Sequence, residues 1–213
     1  MRISTRGKVL LVGACMLAGA SGWAQQSQSP VASAKVSTDL AVTYAIERSQ
    51  VVPGQNNFWF KGGGADAAVT FRSVLGMSGL GIAASVTGDH ASNVAPNLDA
   101  NKVAYLGGPR YTYTAWLNHA GAANNRRLQV FAQGLFGGVH GFNGLYPATS
   151  GATTSAKSMA MQAGGGMNLL FSKRFGVRLF EADYVRTTLP NNGTNTQTDL
   201  RISAGVTWHI RRW

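Results

Sequence analysis

Thiol chemistry is missing from almost all of this chain. The one cysteine, Cys15, lies near the N-terminus, so the remainder can form no disulfide and no cysteine-ligated metal site. Charge is sparse as well, at 13% of 213 residues, and acids are the scarcest: 8 Asp and Glu against 19 Lys and Arg, a formal net charge of +11. A basic excess suits nucleic acid only when the cations gather on one face, and here they are scattered, which excludes that partner. No run of ~18 apolar residues follows the N-terminal segment, which excludes a helical membrane span. His119 and His140 stand alone, without the further histidines a metal site requires. Gly76-Met77-Ser78-Gly79-Leu80-Gly81 has neither a following helix nor the Lys-Ser/Thr of a phosphate loop, so it reads as a turn. No cofactor is implied.

Glycine is abundant, with 27 residues, and that density suits tight turns and crowded strands better than helices. The mean hydropathy of −0.03 would fit a water-soluble protein. It equally fits a barrel in which half of each strand's side chains face a polar interior. Residues 1–24 have the parts of a secretory signal: Arg2, Arg6 and Lys8, then an apolar stretch from Val9 to Ala20, then Gly22-Trp23-Ala24 as a cleavage site. Removing it would leave 16 basic residues against 8 acidic ones, a charge of +8. The rival reading makes Val12-Gly13-Ala14-Cys15 a lipobox with a lipidated Cys15. Residues 25–36 are polar and rich in Ser and Gln, and read as a periplasmic leader. Residues 37–213 are then left for one all-β domain.

The clearest strand lies near the C-terminus. From Leu200 to Ile210, Leu200, Ile202, Ala204, Val206, Trp208 and Ile210 fall on one face, and Arg201, Ser203, Gly205, Thr207 and His209 on the other. A greasy face opposite a wet, charged face, behind an export signal, is how the closing strand of a membrane barrel reads. Seven more strands are expected at about 38–49, 64–73, 79–89, 102–115, 127–140, 156–170 and 175–188. The fifth mixes Gln129 and Gln133 with Phe131 and Leu135 on one face. Pro109 predicts a bulge or kink in the fourth. The seventh needs a bulge near Phe180 to return Glu181 and Asp183 to the polar side.

Four connections look long (Val51–Gly63, His90–Asn101, Gly141–Ser155 and Leu189–Thr198), and two look short (Val74–Ser78 and Phe171–Arg174). Long loops at one end and short turns at the other suit a membrane barrel. Trp116–Arg126 is longer than that scheme wants. The expected fold is an eight-stranded antiparallel up-and-down transmembrane β-barrel.

With eight strands laid out, the chain resembles the small outer-membrane barrels related to the transmembrane domain of outer-membrane protein A, within the porin family. The resemblance spans about residues 38–210. It is carried by Leu106-Gly107-Gly108-Pro109-Arg110-Tyr111, by Gln133-Gly134-Leu135-Phe136-Gly137-Gly138, by Arg178 with Asp183-Tyr184, and by the last strand. It implies an integral outer-membrane location and insertion by the barrel-assembly machinery; with the sequence stopping after the last strand, no periplasmic domain is expected to follow. Trp213, the terminal aromatic, is out of phase with Val206, Trp208 and Ile210.

The inward set expected to form a lumen charge network is Glu47, Asp66, Arg72, Arg110, Arg178, Asp183 and Arg201, with Asp39 and His209 near the periplasmic end. The aromatics expected at the membrane interface are Tyr44, Phe71, Tyr111, Tyr113, Trp116, Phe175, Tyr184 and Trp208. Expected partners are outer-membrane lipid and lipopolysaccharide, with an unknown surface ligand. A closed structural or surface-interaction barrel is expected rather than an enzyme. The alternatives are a narrow pore and, behind it, an envelope lipid hydrolase. For the last, His90-Ala91-Ser92, with Asp89 and Asp99 near, is the one local arrangement that fits.

Overall fold

The computed structural model describes residues 36–49, 58–74, 76–95, 98–117, 126–148, 151–191 and 195–211. They form eight strands: β1 (Val36–Ser49), β2 (Phe58–Phe71), β3 (Leu80–Ala95), β4 (Leu98–Trp116), β5 (Arg127–Ala148), β6 (Gly151–Leu170), β7 (Phe175–Thr187) and β8 (Gln197–Arg211). Each pairs antiparallel with its neighbours in chain order, and β1 closes on β8 to complete a barrel. The signal segment, Cys15, His119 and Trp213 lie outside the described residues. Val36, assigned to the leader above, is the first residue of β1.

Period-two patterning sets the wall. On β1, Ala41, Thr43, Ala45 and Glu47 are buried while Val42, Tyr44 and Ile46 are exposed. On β8, Arg201, Ser203, Thr207 and His209 are buried, whereas Val206 is 61% exposed and Trp208 53%. A one-residue slip would exchange these faces, so the alternation also fixes the register. The barrel is inside-out relative to a water-soluble one.

The strands run longer than their apolar patterns suggest. β3 and β4 pair again at Ala95↔Leu98 after a register shift beyond Ala91↔Ala100, and β5 and β6 reach Ala148↔Gly151 past a shift between Phe142 and Tyr146. Two of the four expected long loops, His90–Asn101 and Gly141–Ser155, are therefore mostly hairpin. Their Asn, Gly and Thr residues look like loop, but backbone pairing does not need apolar side chains. Likewise β2 begins at Phe58, inside the expected Val51–Gly63 loop. The short connection after β2 holds a Val74–Met77 bridge, with Gly76 and Gly79 at φ 78 and 91, a region open to glycine at little cost.

Pro109 makes no bulge. The β4 register against β3 runs through Ile82↔Pro109 unbroken, and against β5 it is the same at Gly107↔Phe136 and Arg110↔Gln133. Pairing with β5 lapses only across Gly108 and Pro109, since the ring leaves no N–H to donate but tolerates an extended backbone. The irregularity near Phe180 is present. Asn168 pairs with Arg178 and Met167 with Phe180, so Leu179 and Phe180 both face outward while Glu181 and Asp183 are buried.

Candidate functional site: the lumen network and an outer-face triad

One end of the barrel carries the start of β1 and the finish of β8 and is called the terminal end; the opposite one is the far end. Side chains occupy the lumen between them. Toward β4–β6, Leu106, Leu135, Val139, Tyr146 and Ala160 cluster with Ala68, Ala83 and Leu189, and Leu135 is fully buried. The mixed face of β5 is thus the lumen face: Gln129, Phe131, Gln133 and Leu135 all point inward. A narrow barrel has room for side chains and little else, so inward apolar residues pack there as they would in a core.

The polar remainder forms two groups. In the middle group Arg178 Nη1 donates to Asp66 Oδ2 at 2.5 Å and Glu181 Oε2 at 2.6 Å. Gln133 Nε2 donates to Glu181 Oε1 at 2.7 Å, and Arg110 donates to Gln133 Oε1 from Nε at 2.9 Å. Two guanidiniums lie over the Phe131 ring, 4.1 Å from its centroid for Arg110 and 4.8 Å for Arg178. The chain of contacts continues toward the terminal end through Asn168, Gln129 and Asp39 to His209. The far-end group joins Lys102 to Glu47 and Asp199, and Arg201 to Asp89 at 2.7 Å, with Lys102 4.4 Å over the Phe60 ring. Glycines make the space. A Cβ on Gly62 would sit 2.3 Å from Asp89 Oδ1, and one on Gly164 2.3 Å from Asp183 Oδ1.

Of the expected lumen set, Glu47, Asp66, Arg110, Arg178, Asp183 and Arg201 are buried in the interior. Arg72 is not: β2 ends at Phe71, and Arg72 is exposed in the connection that follows. The expectation carried strand parity one residue past the point where the ladder ends. Lys102, Asp89, Glu181 and Asp199 also belong to the network; strand parity puts Asp89 inward and the bulge near Phe180 returns Glu181, although the expected set names none of the four. Extending the parity of Arg110 back to Lys102 and of Arg201 back to Asp199 would have found two of them. In all, seven of the chain's eight acids are buried here, all but Asp99, against Lys102, Arg110, Arg178 and Arg201. A basic chain has an acidic interior.

At the terminal mouth a cavity of about 350 Å³ opens among Thr70, Thr112, Thr114, Trp116, Arg127 and Gln129. Of the expected interface aromatics, Tyr111, Tyr113, Phe175 and Trp208 are exposed toward this end, with Phe175 and Trp208 stacked at 5.3 Å. Phe71 is half-buried at the same end. Tyr44 lies mid-strand opposite Gly63, and Tyr184 in the far half opposite Leu200. Trp116 shares a face with Arg110 and Thr112 rather than with Tyr111 and Tyr113. It is 63% exposed at the end of β4, and its ring lies 4.9 Å from the Arg127 guanidinium at the mouth. Trp59, exposed near the far end, was not anticipated.

A second constellation lies outside. His90 and Ser92 are two apart on β3 and both are exposed; Asn101 on β4 is the register partner of His90. His90 Nε2 lies 3.0 Å from Ser92 Oγ, and His90 Nδ1 lies 2.8 Å from Asn101 Oδ1. Asp89 turns inward to Arg201 and away from this group, and the residue at His90 Nδ1 is an amide. Asn101 leaves no local signal in the sequence because it becomes a neighbour of His90 only through cross-strand register. Among the described residues, no cluster of three His, Cys, Asp or Glu is arranged to hold a metal ion.

No protein-family model matches the chain, and no curated protein matches it in sequence. Solved structures with similar chain paths include the attachment invasion locus protein Ail of Yersinia pestis, at 11% identity and TM-score 0.42, covering 83% of this chain and 99% of that one. Neisserial surface protein A gives 13% and 0.45, with 81% and 96% covered. The N-terminal β-barrel domain of Pseudomonas aeruginosa OprF gives 10% and 0.38, with 81% and 97% covered. These likenesses are distant; the barrel rests on this chain's own strand pairing.

Proposed function

We propose that this chain is an integral outer-membrane barrel, closed along its axis by its own side chains, with a structural or surface-contact role at its far end. The observation that carries the location is the inversion of faces. Val42, Ile82, Val86, Val206 and Ile210 are exposed outward while charged residues fill the interior. A soluble barrel of lipocalin type needs the reverse arrangement. Bilayer hydrocarbon is the medium in which such an outer wall is stable. Tyr111, Tyr113, Phe175 and Trp208 would sit at one headgroup layer, and Trp59 and Tyr184 toward the other. The cations left outside, including Arg48, Lys61 and Arg186 in the far half, suit anionic headgroups such as those of lipopolysaccharide. The barrel-assembly machinery would insert it.

Closure follows from what fills the lumen. Leu135, Val139, Phe131 and the Arg178 ion pairs occupy an interior that eight strands make only side-chain wide. Purified protein in a planar bilayer is expected to give no discrete conductance steps, while its electrophoretic mobility changes on heating as a folded barrel's does. A second reading, a narrow cation path, is favoured by the cavity at the terminal mouth and the excess of lumen acids. Steps that are cation-selective and altered by Arg110→Ala would replace the closed reading with that one.

A further inference from the structure

The outward side of β3–β4 carries a group with no structural task in the lumen. We propose that Ser92, His90 and Asn101 form a serine acyl-hydrolase site that cleaves the carboxylic ester of a phosphate-bearing acyl lipid. This activity goes beyond the closed-scaffold reading and does not depend on whether the lumen conducts.

A serine hydroxyl is a weak nucleophile until a base lies within hydrogen-bond reach and a third group orients that base. Both conditions are met here by strand geometry. The i, i+2 spacing puts His90 and Ser92 on one face, and direct register puts Asn101 beside His90. Asn101 Oδ1 can only accept, so in the neutral ring Nδ1 carries the proton. Nε2 is then left with its lone pair directed at Ser92 Oγ, 3.0 Å away. Ser92 and His90 are the catalytic residues; Asn101 is a positioning residue.

The surroundings select the substrate. One register row below the histidine, Tyr44, Gly63, Gly88 and Val103 lie side by side across four strands on the outward face. The two central positions have no side chain, and a Cβ at Gly88 would meet open space. This leaves a shallow slot, bounded by Tyr44 and Val103, leading from the apolar wall toward His90. An acyl chain fits it. In the histidine's own row Lys61 is the register partner of His90, and Arg48 is exposed on the adjoining strand opposite Trp59. Positive charge beside a slot for hydrocarbon suits a lipid with ester and phosphate close together.

In the reaction, Ser92 Oγ attacks the ester carbonyl as its proton passes to His90 Nε2. The carbon–oxygen bond to the lipid alcohol breaks, and that alcohol leaves with the proton. Water then attacks the acyl-serine, giving its proton to His90; the serine oxygen leaves, recovers the proton, and a free fatty acid departs. No oxidant or metal is required.

The test uses the full chain produced in a Gram-negative host and purified in detergent from the fraction where it is found. Release of fatty acid is measured from an anionic phospholipid in one arm and from lipopolysaccharide in the other. The expected result is release in at least one arm, which identifies the lipid source, with a loss of at least a hundredfold in Ser92→Ala and in His90→Ala. Asn101→Ala should lower kcat with little change in KM, and Asn101→Asp should restore it, which a purely structural role would not produce. Lys61→Ser should raise KM, and Lys173→Ser, in the β6–β7 connection at the opposite end of the barrel, should change nothing. Heat-dependent mobility checks that each variant is folded. Folded wild-type protein that releases no fatty acid in either arm, or release that survives Ser92→Ala, overturns the proposal.

Discussion

Two polar constellations occupy opposite faces of one wall. Inside, Arg178, Asp66, Glu181, Gln133 and Arg110 satisfy one another, and Arg178 is only 1% exposed. Outside, His90, Ser92 and Asn101 touch one another but remain open to whatever surrounds the barrel. Burial explains the contrast. A charge sealed from water must be paired, so interior groups are committed to structure. Groups at the surface face no such demand and are free to act on a third party. Substitutions should therefore separate the two, with large stability effects inside and almost none outside.

The sharpest break of that comparison is Arg178→Ala. It strands Asp66 and Glu181 without their shared cation, and the expected loss is about 3–5 kcal/mol, read from urea unfolding in micelles. Val206→Arg places a charge on the apolar outer wall near mid-strand, and about 2–4 kcal/mol should be lost in lipid vesicles. Leu135→Ala removes a fully buried side chain from the apolar part of the lumen, with an expected cost of about 2–3 kcal/mol by the same unfolding measurement. Ser92→Ala, at the exposed triad, should leave stability within about 0.5 kcal/mol. A loss at Ser92 comparable with that at Arg178 would erase the distinction between committed and available groups.

Much of this was legible in the residues, and the failures have physical causes. β8 and β1 read cleanly because one face meets an apolar medium and the other a polar one at every step. Glu181 and Asp183 showed a parity conflict, which the shift at Leu179–Phe180 resolves. β5 was ambiguous because its lumen face is half apolar, filling space rather than meeting water. The far-end hairpins were read as loops because a strand beyond the apolar belt loses its outward hydrophobic signal while keeping its backbone pairs. Asn101 depends on the register of the β3–β4 hairpin, and the Lys102 and Arg201 ion pairs on strands distant in sequence; periodicity within one strand contains neither.

The central claim is that the apolar face of each strand meets lipid and the charged face meets the axis. The most direct measurement is depth-dependent quenching by brominated lipids of a fluorophore attached to single cysteines at positions 42, 44, 206 and 210, compared with 43, 45, 203 and 207. Strong quenching of the first set in vesicles, and weak quenching of the second, is the predicted result. Equal quenching of both sets, or a reversal, would contradict it.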